Sequence, residues 1–547
     1  MNKNFEEAKK YNELGNIYKG IFSLIYAEKY YKEALRLMPE SAVILSNLGS
    51  TYNLLGNIKR AKNCFQKAVK SDPNFPNAHY SLAKIYLEER SWKKGIYYCK
   101  KTIDIDPNFG LAYSLLAFSK MQVCDWNSPL NYNPMFDNPI LSVLRTEDQK
   151  VNYQVAHHWS NLIENKMTGF PKFKHHTRDG SKKITIGYVS NDFYPHATVS
   201  LMAGLFRNHN RKDFNINIYS YGRDDNNKHI REFKKSVNLF RDISNISDFE
   251  AAQKIYSDNV DVLVDLKGYS GGSRMEIFAL RPAPIQITWL GFPGTTGSNF
   301  IDYILTDKVV SPKLDQKYFS EKFVYLPNTY QINDDKRKIA KITLKRSGLG
   351  LSKNSFIFCS FSRPEKITPD TFASWMRILK MVPTSTLWLL KDNNLMANNL
   401  KTEAIRRGVE AKRLIFAEPT EYSRHLKRHS LADLSLDTFI YNGHTTTSDS
   451  LWAGVPVITL KGNHFASRVS ASLLTAIGLP ELITNSQKEY ENLAIELATN
   501  PQKLVAIHKS LILNHESCPL FDTQKFVKNL ENLYLNMWKK YTSASNK

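Results

Sequence analysis

The sequence predicts an α + α/β protein in which a stack of helix pairs precedes two open parallel sheets. Three observations predict it: a 34-residue repeat near the start, two successive series of short apolar runs alternating with helical stretches, and a length of 547 residues. At roughly 100 to 200 residues per domain, that length holds about three domains with room for a sizeable core. Hydrophobic residues at 42%, aromatic at 12% and charged at 23% are globular values. No stretch approaches the roughly 18 consecutive apolar residues that a membrane span needs.

The repeat is carried by six columns in one register. Pro39, Pro73 and Pro107 lie 34 residues apart. The same offset links Leu14, Leu48, Leu82 and Leu116, then Gly15, Gly49, Ala83 and Ala117, then Tyr18, Tyr52 and Tyr86. Ala27, Ala61 and Gly95, and Ala34, Ala68 and Thr102, complete the set. Small residues let two helices approach closely, Leu and Tyr fill the space between them, and proline ends the second helix of each unit. This pattern resembles the tetratricopeptide repeat, with about three units over residues 8–109 and a further helix over 110–121. For function it implies a helical groove for peptides, or a packing extension of the next domain.

Residues 125–182 read as a connecting segment with a helical piece near 147–164. Beyond it, apolar runs at 184–189, 214–219, 260–266, 285–290 and 303–305 read as buried parallel strands, and a basic polar stretch comes after them. A second series falls at 356–361, 386–390, 414–416, 434–436 and 455–459. The expected division is therefore repeats over 1–124, a connection over 125–182, Rossmann-like domains over 183–332 and 351–547, and a linker over 333–350. Such sheets bind ligands beyond the carboxyl ends of their strands.

The strand-end loops carry the chemistry. In Asp437-Thr-Phe-Ile-Tyr-Asn-Gly-His-Thr-Thr-Thr-Ser-Asp449, Gly443 allows a tight backbone, and Thr445, Thr446 and Thr447 stand where a helix should begin. A helix start favours a diphosphate, although threonine there is also a common cap. Lys366, after the 356–361 run, can neutralise phosphate as a point cation. His196, after the first run, has the near-neutral pKa of a possible base, although an isolated histidine is more often structural.

The stretches FALRPAPIQITWLGFPGTTGSNFIDYILTD, YNGHTTTSDSLWAGVPVITL and FASRVSASLL, together with the repeats, resemble the O-linked N-acetylglucosaminyltransferases of glycosyltransferase family 41. That family joins tetratricopeptide repeats to a GT-B unit of two Rossmann-like domains. Only the short stretch near 333–348 lies where animal members carry an intervening domain, so the layout resembles the bacterial one. The resemblance implies transfer of N-acetylglucosamine from its UDP conjugate to Ser or Thr of proteins, without a metal or other cofactor. Relatives using GDP-fucose or UDP-glucose, and a non-catalytic repeat scaffold, are the alternatives.

Carried over residue by residue, the resemblance implies His196 in the active site, Asp258 as a proposed proton acceptor and Lys366 on the leaving diphosphate. It implies His425 near the uracil and ribose, and His444, Thr445, Thr446 and Asp449 around diphosphate and ribose. Gly294 and Thr295 are added as substrate-binding. Two departures fall on the base-binding side: Ser362-Arg363-Pro364-Glu365 replaces an amide-rich stretch, and Tyr422 replaces a lysine of animal members.

Charge and cysteines narrow the setting. A net charge of +22 favours acidic partners. The densest basic stretch, Lys336, Arg337, Lys338, Lys341, Lys345 and Arg346, has no interleaved aromatics, so neither specific nucleic-acid binding nor a membrane is expected. Five scattered cysteines without a CxxC pair read as reduced thiols, and the start of the chain lacks a secretion signal, so the cytoplasm is expected. The only Asp-x-Asp pair noted, Asp104 and Asp106, falls in a repeat turn and not at a strand end.

Overall fold

The computed structural model describes residues 3–20, 23–128, 130–175, 183–194, 197–222 and 228–545. They fall into two units, Met1–Phe136 and Asp137–Lys547.

The first unit is helical throughout its regular part: α1 (Lys3–Gly20), α2 (Leu24–Leu37), α3 (Ala42–Leu54), α4 (Ile58–Ser71), α5 (Pro76–Glu88), α6 (Trp92–Ile105) and α7 (Gly110–Gln122). α1 pairs with α2, α3 with α4 and α5 with α6, and α7 packs on α6. The small-residue columns do what their spacing implies. Ala27, Ala34, Ala61 and Ala68 are fully buried. A Cβ on Gly15 would lie 2.5 Å from the Tyr31 ring, so any larger residue would push the pair apart. Pro39, Pro73 and Pro107 follow the ends of α2, α4 and α6. The first helices of successive pairs lie side by side, and Asn47 Nδ2 of α3 donates to Asn12 Oδ1 of α1 at 3.0 Å.

The second unit opens with α8 (Pro139–Arg145) and α9 (Gln149–Met167). Val143, Ala156 and Met167 from these helices join Val189, Leu263, Ile277 and Phe292 in one apolar core, so much of the expected connection is part of a lobe. The first sheet contains β1 (Ile184–Ser190), β2 (Phe214–Ser220), β3 (Leu239–Asp242), β4 (Val262–Asp265), β5 (Ile285–Thr288), β6 (Tyr303–Thr306) and β7 (Lys322–Tyr325). Its helices are α10 (Ala197–Asn208), α11 (Lys228–Ser236), α12 (Asp248–Ser257) and α13 (Met275–Ala279). The strands are parallel, in the order β3-β2-β1-β4-β5-β6-β7.

The second sheet contains β8 (Phe356–Ser360), β9 (Ser385–Leu390), β10 (Leu414–Ala417), β11 (Leu434–Leu436), β12 (Val457–Leu460) and β13 (Ile483–Thr484), in the order β10-β9-β8-β11-β12-β13. Around it lie α14 (Pro369–Met381), α15 (Asn394–Arg406), α16 (Tyr422–His429), α17 (Thr445–Trp452), α18 (Val469–Ile477), α19 (Gln487–Thr499) and α20 (Pro501–His515). Every expected strand is present. The unexpected ones, β3, β7 and β13, are three of the four edges, where a strand has one neighbour and needs less apolar sequence.

Two segments tie the lobes together. The last helix, α21 (Thr523–Ser545), returns to the first lobe, where Tyr534 and Tyr188 share a 3.2 Å hydroxyl contact and Glu531 Oε1 lies 2.9 Å from His209 Nδ1. The expected linker is also built in: Asn333 and Arg337 are buried, and Asn333 Nδ2 donates to the Leu520 carbonyl at 3.2 Å.

Candidate active site

In each sheet the strand order reverses once, between β1 and β4 in the first lobe and between β8 and β11 in the second. At such a point the connections leave to opposite faces, and a crevice opens beyond the carboxyl ends of the two strands. The loop of His196 follows β1, that of Lys366 follows β8, and that of His444 follows β11. His196 itself lies outside the described residues.

The second-lobe crevice is built around a lysine. Pro364–Lys366 forms a single 3-10 turn after β8, which aims the Lys366 side chain at the loop after β11. Its ammonium donates to the Asn442 carbonyl at 2.8 Å and stands 4.0 Å above the Tyr441 ring. Burial pushes its pKa down to about 8, against the opposing pull of Asp437 and Glu365. Asp437, at the end of β11, holds the loop closed: its carboxylate accepts from the backbone N–H groups of Thr438 and Gly443 and from the Thr459 hydroxyl. Tyr441 also stacks on His444, with ring centroids 4.7 Å apart. Burial, then Lys366, keeps the His444 pKa well below its ordinary value. That imidazole is neutral near pH 7.

His444 occupies the cap position of α17, and its side chain makes no capping bond. Of the three threonines after it, Thr447 bonds Ser470 at 2.7 Å, and the buried Thr446 hydroxyl has no partner among the described residues. The N–H groups of the first helical turn therefore face the crevice beside an unused hydroxyl and the Lys366 cation. That set suits a diphosphate.

Asp449, one helical turn along α17, is buried. Its Oδ1 accepts from the Tyr422 hydroxyl at 2.7 Å and from Arg337 Nη1 at 3.0 Å. Burial raises its pKa to about 6, and Arg337 and Tyr422 limit the rise. His425 lies on α16 with its ring 5.3 Å from Phe361, the residue after β8. Burial, with Arg428 beside it, pushes the His425 pKa down to about 3. Arg428 donates to His425 Nδ1, so the proton of the neutral ring sits on Nε2, 3.2 Å from His429 Nε2. His429 in turn directs Nδ1–H to Ser450 of α17 at 3.2 Å. The two histidines thus fix α16 against α17.

Lys366, His425, His444, Thr445, Thr446 and Asp449 are brought together at one switch point. Gly294 and Thr295 lie in the loop after β5 of the first lobe, and Asp258 lies away from the strand-end loops. The Thr295 hydroxyl donates to Glu321 at 2.7 Å, and a Cβ on Gly294 would touch Phe292 and Val143, so both support the β5–β6 loop from within. Asp258 follows α12 at the opposite end of the sheet from the strand-end loops. Arg241 Nε donates to its Oδ2 at 2.6 Å and the Tyr219 hydroxyl to the same oxygen at 3.0 Å.

The structure adds residues that sequence patterns did not single out. In the first lobe, Lys267 after β4 binds both carboxylate oxygens of Asp192, after β1, at 2.8 and 2.9 Å. Leu290, after β5, has a φ of 69°, a costly setting for a branched residue and one typical of functional loops. Its neighbour Gly291 leaves no room for a Cβ, which would lie 2.0 Å from the Leu266 carbonyl oxygen. The sequence signal for Lys267 and Asp192 was their place directly after apolar runs. Tyr441 and Arg337 gave none.

Comparison with known proteins places the chain in a family. The model of Glycosyl transferase family 41 matches residues 138–347 and 338–530, and a TPR repeat model matches 49–89. A probable UDP-N-acetylglucosamine–peptide N-acetylglucosaminyltransferase, SEC, of Arabidopsis thaliana is 42% identical over 388 residues, covering 69% of this chain and 40% of the relative. The UDP-N-acetylglucosamine–peptide N-acetylglucosaminyltransferase of Caenorhabditis elegans is 29% identical over 66% of this chain and 41% of its own length. The chain thus spans about 40% of the length of the curated relatives it matches. Among solved structures, an O-GlcNAc transferase of Thermobaculum terrenum superposes with a TM-score of 0.71 at 24% identity, covering all of both chains, which shows a shared GT-B fold. With the family model spanning both lobes and their switch points, the chain belongs to glycosyl transferase family 41.

Proposed function

We propose that this chain is an inverting glycosyltransferase that moves N-acetylglucosamine from UDP-N-acetylglucosamine to Ser or Thr hydroxyls of proteins. One observation carries the reading: Lys366, the uncapped start of α17 and the unpartnered Thr446 hydroxyl converge at the β8/β11 switch point of a family 41 chain. An acceptor hydroxyl attacks the anomeric carbon from the first-lobe side as the bond to the β-phosphate oxygen breaks. Charge then grows on the departing diphosphate. Lys366 and the helix start are placed to meet it, and Asp449 and His425 are the proposed contacts of the nucleoside.

The acceptor proton has two chemically reasonable destinations, the His196 imidazole and an oxygen of the donor diphosphate. Replacing His196 by Ala separates them, because only the first route then loses the roughly hundredfold or more in kcat that a general base contributes. Asp258 is not proposed for this role, since its carboxylate is committed to Arg241 and Tyr219. The helical repeats are the proposed guide for protein acceptors. No helix among the described residues is long and apolar enough to cross a membrane, and the five cysteines form no disulfide, which suits the reducing cytoplasm proposed here.

The Arabidopsis SEC relative, at 42% identity, and the SPINDLY relative, at 32%, are both named as probable UDP-N-acetylglucosamine–peptide N-acetylglucosaminyltransferases, which supports the acetylglucosaminyl donor. The test is nucleotide release and protein labelling by the purified chain with UDP-N-acetylglucosamine, UDP-glucose and GDP-fucose. Turnover of GDP-fucose alone overturns the assignment.

A further inference from the structure

Arg337 belongs to a stretch whose sequence reads as a basic, solvated linker, yet its side chain is only 1% exposed. Its guanidinium lies 4.6 Å from the Trp452 ring and 5.4 Å from the Phe521 ring. Nη1 donates to Asp449 Oδ1 at 3.0 Å and to Ser448 Oγ at 3.2 Å. Burial of a charge to this degree requires a built partner, and Asp449, itself 4% exposed, is that partner. The segment joining the two lobes therefore reaches the crevice floor. Asp449 Oδ1 is filled by Arg337 and Tyr422, and Oδ2 takes no hydrogen bond among the described residues.

We propose that Arg337 is a positioning residue for the donor nucleotide, acting through Asp449: it keeps that carboxylate ionised and turned so that Oδ2 accepts a ribose hydroxyl. The inference rests on the reading of Asp449 as a donor-binding residue. The groups around Asp449 are consistent with it. α17 packs against α10, α16, α18 and β12. α16 brings Tyr422, Arg428 and the histidines His425 and His429, both kept neutral by burial. Arg428 is turned to the Glu418 carbonyl and to His425. α10 brings Arg207, paired with Asp334, and α18 and β12 carry no titratable side chains. Lys366, Asp437 and His444 lie at the start of α17, and the His515 ring lies tilted against Trp452, 4.6 Å between centroids. Arg337 is thus the cation in contact with Asp449.

The experiment compares wild type, Arg337→Lys and Arg337→Met. UDP binding is followed by calorimetry, and KM and kcat for the sugar nucleotide are measured from pH 6 to 9. A neighbouring cation shifts a carboxylate by about 1 to 3 pKa units. At pH 7 Arg337→Met should therefore bind UDP about tenfold more weakly, with a matching rise in KM and little change in kcat. The deficit should close by about pH 9, as Asp449 ionises without help, and Arg337→Lys should recover part of it. Binding equal to wild type at pH 7 overturns the proposal, as does a deficit that is constant with pH and unrelieved by lysine.

A second arm needs no nucleotide. Arg337→Met strands a buried carboxylate, so adding Asp449→Asn should raise the melting temperature of the free protein at pH 8 relative to Arg337→Met alone. Additive destabilisation refutes the coupling. A wild-type chain that fails to bind UDP counts against the nucleotide reading, and the coupling is then judged on the melting arm.

Discussion

The Lys366 ammonium rests 4.0 Å above the ring of Tyr441, and the stack of that ring on His444 links the two polar groups of the crevice through one aromatic side chain. A cation over an aromatic face gains about 0.5 to 2 kcal/mol, more when desolvated. Tyr441→Leu should therefore lower kcat by about three- to thirtyfold, whereas Tyr441→Phe, which keeps the ring, should stay near wild type. Lys366→Ala should cost about a hundredfold or more in kcat with folding intact, because its charge matters most as the diphosphate departs. Steady-state kinetics checks all three. A normal Lys366→Ala removes this lysine from the reaction.

The pH dependence of kcat/KM follows from two buried groups. Asp449, raised to about 6 by burial, must be ionised, so activity should rise through that pH. Lys366, lowered to about 8 by burial, must be protonated, so activity should fall above it. A bell between about 6 and 8 is expected for the free enzyme. With donor bound, the diphosphate favours the ammonium form and should move the alkaline limb of kcat upward. An alkaline limb that persists in Lys366→Met belongs to another group.

Much of the fold was legible because burial leaves a periodic trace. The Gly15 and Ala27 columns register close helix packing, and apolar runs such as Ile184–Ser190 register strands covered on both faces. Strand β3, with sequence LFRD, and β7, with KFVY, leave no such trace because edge strands keep polar faces. In the site, the loop from Asp437 to Asp449 was readable from its glycine and hydroxyl residues. Arg337 was not, because a cation buried by Trp452 and Phe521 has the same local sequence as a solvated one; only residues more than a hundred positions away distinguish them.

Asp258 tests the limits of transferring roles by motif. Its carboxylate is bound by Arg241, whose side chain is 36% exposed, so the pair contributes about 1 kcal/mol once solvent screening is allowed for. Asp258→Asn should lower the melting temperature slightly and leave kcat and KM within about twofold of wild type. A fall of about a hundredfold in kcat without loss of stability would restore it to the chemistry.

If Lys366 and the start of α17 neutralise the departing charge as proposed, turnover should need no divalent metal. Asp104 and Asp106, the Asp-x-Asp pair of the sequence, sit at the end of α6 in the first unit. Activity should persist in excess chelator. Loss that magnesium or manganese reverses would show that the cation and helix do not suffice.

The repeats should act on acceptors and not on the donor. Their regularly spaced positions are spent on packing, as the fully buried Ala27, Ala61 and Leu82 show, so acceptor contacts must come from polar side chains between them. Asn12 and Asn47 form one such pair, half-buried and bonded across the neighbouring helices α1 and α3, and Asn53 carries a buried oxygen without a partner among the described residues. Replacing Asn12 and Asn47 together by Ala removes both ends of their bond and leaves neither group stranded, so stability should change little. Modification of protein acceptors should weaken several-fold, while UDP affinity and transfer to a short peptide stay near wild type. Deleting the whole segment is a poorer test, because it would expose apolar surface wherever α7 is covered. If the double variant labels proteins at the wild-type rate, the asparagines serve only the helix stack, and the guiding role of this face is lost.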